Sequence, residues 1–370
     1  MQTLNLLIKP ASSGCNMRCG YCFYVDIASV RAIENHGIMS DELLETIVRK
    51  ALSEANGYCT FGFQGGEPTL AGLEFFQKLI IFEKKYNINN VKIVHALQTN
   101  GLLIDASWAG FLKENNFLVG LSIDALKYVH DVFRVDVSGN STYDRCMSAA
   151  RILANHHVNF NILSVVTRQL AAHPDKVYRF YKKNGFRYLQ FIPCLDNLKD
   201  GHGSNIYSLD AKTYGNFLCR IFDLWYNDFT KNEYISIRDF DNYIHMLAGR
   251  QPENCAMNGM CSANALIEAD GSVYPCDFYA VDDHLLGNIL THSFNEMLCG
   301  EKAISFIMPS RNVDTTCLDC EFGYICRGGC RRHRELEIDG TLQLNFYCTA
   351  YKQFFAHSLP RMKMIAQYIG

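Results

Sequence analysis

The sequence predicts an α/β fold: six strand–helix units forming a partial (β/α)6 barrel of the TIM type over residues 1–235, then a small cysteine-pinned domain over 236–370. Three observations predict it. Apolar runs of strand length alternate with helical patterns, joined by short connections, through the first two-thirds of the chain. Beyond about residue 235 these runs shorten and glycine and cysteine become dense. Hydrophobic residues make up 48% of the 370 residues and charged residues 20%, which suits a sizeable core and excludes a disordered chain.

The elements follow in order. "LNLLIKP" (4–10) reads as the first strand. In 41–55, Leu43, Leu44, Ile47, Val48, Ala51 and Leu52 recur at helical spacing on one side. "YCTFGFQGG" (58–66) is a strand ending in glycines, followed by a helix over 73–86 and a strand over 91–101. A helix over 106–115, strand 117–124, helix 142–156, strand 159–167, helix 174–184, strand 188–195 and helix 211–228 complete the series. In such barrels the chemistry gathers at the C-terminal ends of the strands. The triplet Cys15, Cys19, Cys22 falls at such an end, as do "QGGEP" (64–68), "QTNG" (98–101), "LSID" (121–124) and "PCL" (193–195). "ANALIEADGSVYPCDFY" (263–279) reads as a hairpin turning at Asp270-Gly271, and an apolar helix closes the chain.

The formal net charge of -3 gives no reason to expect nucleic-acid binding. The first residues hold too short an apolar run for a signal peptide, and no stretch reaches the roughly 18 to 20 apolar residues of a membrane span. A soluble, cytoplasmic monomer is expected. In a reducing compartment, sixteen cysteines point to metal or cluster ligands rather than disulfides.

The triplet "CNMRCGYC" (15–22) has three thiols where most cysteine sites use four. Three thiolates on one loop hold three irons of a four-iron cluster and leave the fourth open to a small molecule. The alternative is zinc, with a fourth ligand such as His36. Further along, eight cysteines are spaced as Cys255-x5-Cys261, Cys276, Cys317-x2-Cys320-x5-Cys326-x3-Cys330 and Cys348. Eight thiolates suffice for two complete four-iron clusters, or for two zinc sites. Cys59, Cys146, Cys194, Cys219 and Cys299 are left over and are expected to be buried free thiols.

The triplet after a first strand, with Tyr21 before its last cysteine and "GGEP" after the second strand, resembles the radical S-adenosylmethionine (SAM) superfamily. The later cysteines resemble the SPASM domain of peptide and protein maturases. Over essentially the whole chain, "IKPASSGCNMRCGYCFY", "FGFQGGEPTLAGLEFF", "LQTNGLLID", "DGSVYPCDFY" and "RGGCRR" resemble the anaerobic sulfatase-maturating enzymes. The resemblance implies three [4Fe-4S] clusters, with SAM chelating the open iron of the first. It implies SAM contacts from Tyr21, Gly65, Gly66, Glu67, Ser122, Arg134 and Leu195, the last packing on adenine. Cys255, Cys261, Cys276 and Cys330 would hold one auxiliary cluster, and Cys317, Cys320, Cys326 and Cys348 the other.

The implied reaction converts a sulfatase cysteine, or serine in some members, to Cα-formylglycine. A 5′-deoxyadenosyl radical removes a Cβ hydrogen, Asp277 takes the thiol or hydroxyl proton, and the remaining electron leaves through the auxiliary clusters. An unperturbed carboxylate, pKa about 4, is a weak base for a thiol of about 8.5. The substrate radical is far more acidic, so a positioned Asp serves. An external one-electron donor such as flavodoxin or ferredoxin is implied. The rival is a maturase making thioether crosslinks or epimers on a ribosomal precursor peptide. A triplet starting at residue 15 leaves no room for the N-terminal recognition domain expected of that class. Tyr24 is a candidate for the substrate channel or for packing. "RRHR" (331–334) reads as a basic patch, solvated or facing an acidic partner. After "LSID" many relatives continue Gly-Pro, whereas this chain has Ala125-Leu126, so the loop is expected to differ there.

Overall fold

The structure, a computed structural model, describes residues 1, 3–198, 202–334 and 342–369. The chain divides into two compact units: 1–123 with 131–160 and 263–306, and 124–130 with 161–262 and 307–370.

In the first unit, β1 (Thr3–Ile8), β2 (Tyr58–Phe63), β3 (Lys92–Thr99) and β4 (Phe117–Ser122) pair in parallel in that order. Helices Asp41–Glu54, Leu73–Tyr86 and Ala106–Glu114 connect them, each within a residue or so of expectation. The face predicted for 41–55 is the buried one: Leu43, Leu44, Ile47, Val48, Ala51 and Leu52. Ser40 caps that helix by accepting from Leu43 N. Phe63, Phe76 and Trp108 meet edge to face and fill the space between helices and sheet.

The hairpin turns at Asp270-Gly271 as expected, with Gly271 at φ +87°. Its first strand (Ala265–Ile267) pairs in parallel with β1, Leu6 to Ile8 against Ala265 to Ile267. Lys9 N continues this ladder to Ile267 O at 2.9 Å. The hairpin therefore extends the N-terminal sheet and delivers Asp277 to the end where β1 and β2 finish.

In the second unit β5 (Asn159–Val166), β6 (Tyr188–Pro193) and the two-residue strand Ser236–Ile237 pair in parallel. The helix Ala211–Phe229 packs on the C-terminal helix Cys348–Ile369. Phe222, Trp225, Phe240 and Phe354 form the aromatic centre of that contact. Among the described residues no helix is long and apolar enough to cross a membrane.

Two sequence expectations need correction. "RRHR" is not a surface patch. Arg331, Arg332 and Arg334 are buried, and the Arg332 guanidinium donates to Asp196 O at 2.7 Å, that of Arg334 to Ser310 O at 3.0 Å. A buried guanidinium must satisfy its donors, and here loop carbonyls do so. Among the leftover cysteines, Cys59, Cys146 and Cys194 are buried, but Cys219 is half-buried and Cys299 exposed. Both lie on helices, Cys299 at the end of a six-residue one, where the helix turns them outward.

Candidate active site

The triplet loop is held by its neighbours in the first unit. Arg18 N and Gly20 N donate to Val135 O and Phe133 O, each at 2.8 Å, and Met17 bridges to Asp136. This places Arg134 beside the loop: its Nη1 donates to Tyr21 Oη at 3.2 Å, and Tyr21 packs against Phe133. Cys22 ends the loop and begins a helix that short-range periodicity did not reveal, Phe23–Ser29. His36, the candidate fourth zinc ligand, sits 3.5 Å from Asp270 through Nδ1.

The "QGGEP" turn lies directly on this loop. Gln64 N donates to Ile8 O, Gly66 N to Ser12 O at 3.1 Å, and Glu67 N to Gly14 O at 2.8 Å. A Cβ at Gly66 would fall 2.0 Å from Gly14 O, so only glycine permits the approach. Gly65, at φ +120°, folds over the Lys9 side chain. The Glu67 carboxylate is fully used inside the protein. Oε1 accepts from Thr69 N, Thr69 Oγ1 and Thr99 Oγ1, and Oε2 from Asn100 N at 2.7 Å. Burial pushes its acid up and these donors pull it down. Its side chain braces the ends of β2 and β3. Ser122 ends β4, and its Oγ accepts from Gln98 Nε2 at 2.9 Å. Leu195, in the second unit, follows β6 and is largely buried.

Asp277 begins the short helix after Cys276, which Phe278 docks against Phe23 at 4.9 Å. Its Oδ2 accepts from Tyr24 Oη at 3.4 Å and Gln64 Nε2 at 3.2 Å, and its Oδ1 from Phe278 N at 3.1 Å. Burial raises both its acid and the Tyr24 phenol, so Tyr24 stays a donor. Behind them Lys9 and Arg31 both bond the buried Glu268 carboxylate, and the Lys9 ammonium stands 5.4 Å from the Tyr24 ring centre. Sequence reasoning missed Gln64, Asn100, Lys9 and Glu268. The first two stand in stretches already marked as strand ends, whereas Glu268 carried no local signal.

In the second unit, Cys317, Cys320, Cys326 and Cys348 line one cavity of about 280 Å³ with Phe322 and Tyr351. These are the four thiols expected to share a cluster. The buried Arg334 is electrostatically coupled to Cys317, Cys261 and Cys330, a countercharge for thiolates. Cys255, Cys261 and Cys330 belong to this unit, and Cys276 to the first. Ala125, just after "LSID", is buried at φ +41°. The backbone thus keeps a glycine-like turn at a cost of about 1–2 kcal/mol.

The donor sets fit iron–sulfur clusters. Cys15 Sγ accepts from Met17 N at 3.3 Å, and burial pushes the free Cys15 and Cys326 thiols up to about 11, a cost that metal coordination removes. Among the described residues no three His, Cys, Asp or Glu side chains converge tightly enough for a single ion. A four-iron cluster takes one thiolate per corner, so its ligands stand farther apart than those of one zinc.

Comparison with known proteins agrees with this geometry. Residues 10–181 match the radical SAM superfamily and residues 255–321 an iron–sulfur cluster-binding domain, the SPASM model. A cysteine-type anaerobic sulfatase-maturating enzyme of Clostridium perfringens is 48% identical, covering 100% of both chains. One from Clostridium novyi is 46% identical over 100% of this chain and 99% of the relative. A solved structure of native anSMEcpe with bound AdoMet and Cp18Cys peptide superposes with a TM-score of 0.96 at 48% identity, covering 100% of both chains. Parallel β/α units of the radical SAM partial barrel, a C-terminal cluster-binding domain and this full-length similarity place the chain in the anaerobic sulfatase-maturating enzyme family of the radical SAM superfamily.

Proposed function

We propose that the enzyme oxidises the active-site cysteine of a sulfatase to Cα-formylglycine, with Asp277 as base. The observation that carries this is the Asp277 cluster. One carboxylate, directly after Cys276, is held by Tyr24 from the triplet side and Gln64 from the glycine turn. A carboxylate held between the triplet side and the glycine turn supports the reading of Asp277 as the base.

Cys15, Cys19 and Cys22 would hold the cluster that binds SAM, with Tyr21, Gly65, Gly66, Glu67, Ser122, Arg134 and Leu195 around the ligand. SAM, when bound and reduced by one electron, supplies the carbon radical that takes one hydrogen atom from the substrate Cβ. Asp277 Oδ2 then accepts the thiol proton while Tyr24 and Gln64 hold it in place. Cys255, Cys261, Cys276 and Cys330, and Cys317, Cys320, Cys326 and Cys348, would hold the two auxiliary clusters, which would take up the electron the substrate gives up, while an external one-electron donor such as flavodoxin or ferredoxin would supply the electron that SAM cleavage consumes. Water hydrolyses the resulting thioaldehyde to formylglycine and hydrogen sulfide. The reading includes a cytoplasmic monomer with no nucleic-acid or membrane partner, in keeping with the net charge of -3.

The test is mass spectrometry of a cysteine-containing sulfatase-motif peptide after anaerobic incubation with SAM and reductant. Formylglycine formed alongside 5′-deoxyadenosine is expected. A crosslinked or epimerised peptide would move the enzyme to the precursor-peptide maturases. Formylglycine at the wild-type rate from Asp277→Asn, with clusters intact, would remove Asp277 from the mechanism.

A further inference from the structure

We propose that Asn100 is a positioning residue that tunes the first cluster by a hydrogen bond to the Cys15 sulfur. Asn100 follows the last residue of β3 and is 6% exposed. Its Nδ2 donates to Asn16 Oδ1 at 2.8 Å and reaches Cys15 Sγ at 3.7 Å. The amide cannot turn over, because Oδ1 accepts from Leu102 N at 2.9 Å. The backbone is pinned as well: Asn100 N donates to Glu67 Oε2, and Asn100 O accepts from Cys146 Sγ at 3.2 Å. Every polar group of the residue is committed, and the sum of those commitments aims one N–H at a cluster sulfur.

An N–H donor to a coordinating thiolate stabilises negative charge on the cluster. Reduction adds one negative charge, so the donor favours the reduced form and raises the potential. This eases the one-electron reduction on which SAM cleavage depends. It also gives the buried Glu67 carboxylate a second task. Besides fixing the glycine turn, it holds the residue that adjusts the cluster's electronics. The path runs from the Glu67 carboxylate to the Asn100 backbone N–H and from the Asn100 side chain to Cys15, all within the first unit.

The experiment is a redox titration of anaerobically reconstituted holoenzyme. The first cluster is followed by the electron paramagnetic resonance signal that changes on adding SAM. Asn100→Leu keeps the size and removes the donor; Asn100→Asp keeps the shape and replaces the donor with an acceptor. With iron content at wild-type level, the potential is expected to fall in Asn100→Leu and further in Asn100→Asp. A purely structural role leaves it unmoved in any variant that holds its cluster, and an unchanged potential overturns the proposal. Wild-type enzyme carrying 15N-asparagine gives a measurement that needs no variant. A weak nitrogen coupling to the reduced first cluster without SAM is expected, and its absence also overturns the proposal. The inference rests on Cys15 as a cluster ligand. A wild-type enzyme with no SAM-responsive signal, or Cys15→Ala with full iron, refutes that reading and this one with it. An intact signal at an unshifted potential refutes only the role of Asn100.

Discussion

Replacing Gly66 with alanine adds one methyl group at the tightest point of the site. The new Cβ would lie 2.0 Å from Gly14 O, 2.6 Å from Gly14 C and 2.8 Å from Ser13 C. Backbone atoms cannot rotate away as a side-chain tip can, so the turn and the triplet loop must separate by more than an ångström. That breaks Gly66 N to Ser12 O and Glu67 N to Gly14 O, about 1 kcal/mol each. With the repacking strain, the loss is roughly 3–5 kcal/mol. Gly14 immediately precedes Cys15, so the displacement reaches the first thiol of the triplet directly. The assay is thermal unfolding of the reconstituted enzyme together with iron content and SAM binding. Gly66→Ala should unfold roughly 4–6 °C lower and lose iron from the first cluster. Gly110→Ala is the control. Its Cβ meets nothing within 4 Å on an exposed helical position, and alanine there should stabilise by about 0.5–1 kcal/mol. A Gly66→Ala enzyme with wild-type iron, SAM binding and melting temperature would refute the close-approach reasoning.

Further outcomes follow from the same geometry. Cys348→Ala should reduce iron from about twelve to about eight per chain while leaving the SAM-responsive signal, since its three partners in the cavity hold no complete cluster without it. Asp277→Asn should lower formylglycine formation by roughly 10²–10⁴-fold, with 5′-deoxyadenosine production persisting, because the proton acceptor acts after the hydrogen atom has left. Lys9→Met breaks a buried ion pair while Glu268 stays buried beside Arg31. A loss of about 3 kcal/mol in denaturant unfolding is expected, and a loss below about 1 kcal/mol would show that Arg31 alone satisfies the carboxylate.

Much of the site was legible because its parts are local in sequence. The triplet, the glycine turn and Cys317 to Cys330 are each short enough for spacing to carry their chemistry. The helical face of 41–55 was legible for the same reason: periodicity reports burial directly when a helix covers a sheet. The reading failed where long-range neighbours decide. Four consecutive basic residues look solvated in any local window. Yet Arg332 and Arg334 are buried because Asp196, Ser310 and Asn312 turn their carbonyls toward them. Ala125, where the loop is expected to differ, stands buried at φ +41°, a region glycine occupies without strain, and only the folded backbone reveals that conformation.

By itself, then, the sequence determined the alternation of strands and helices, the open three-cysteine motif and the complete second set of thiols. These depend on residue type and spacing along a few turns of chain. Only the tertiary structure decided that the hairpin at 263–279 joins β1, and that Asp277 therefore meets Tyr24 and Gln64 across more than two hundred residues. It also decided that Glu67 spends its carboxylate on Thr69, Thr99 and Asn100. A hydrogen bond is specified by the position of both partners, and for residues that far apart the position exists only once the sheet has formed.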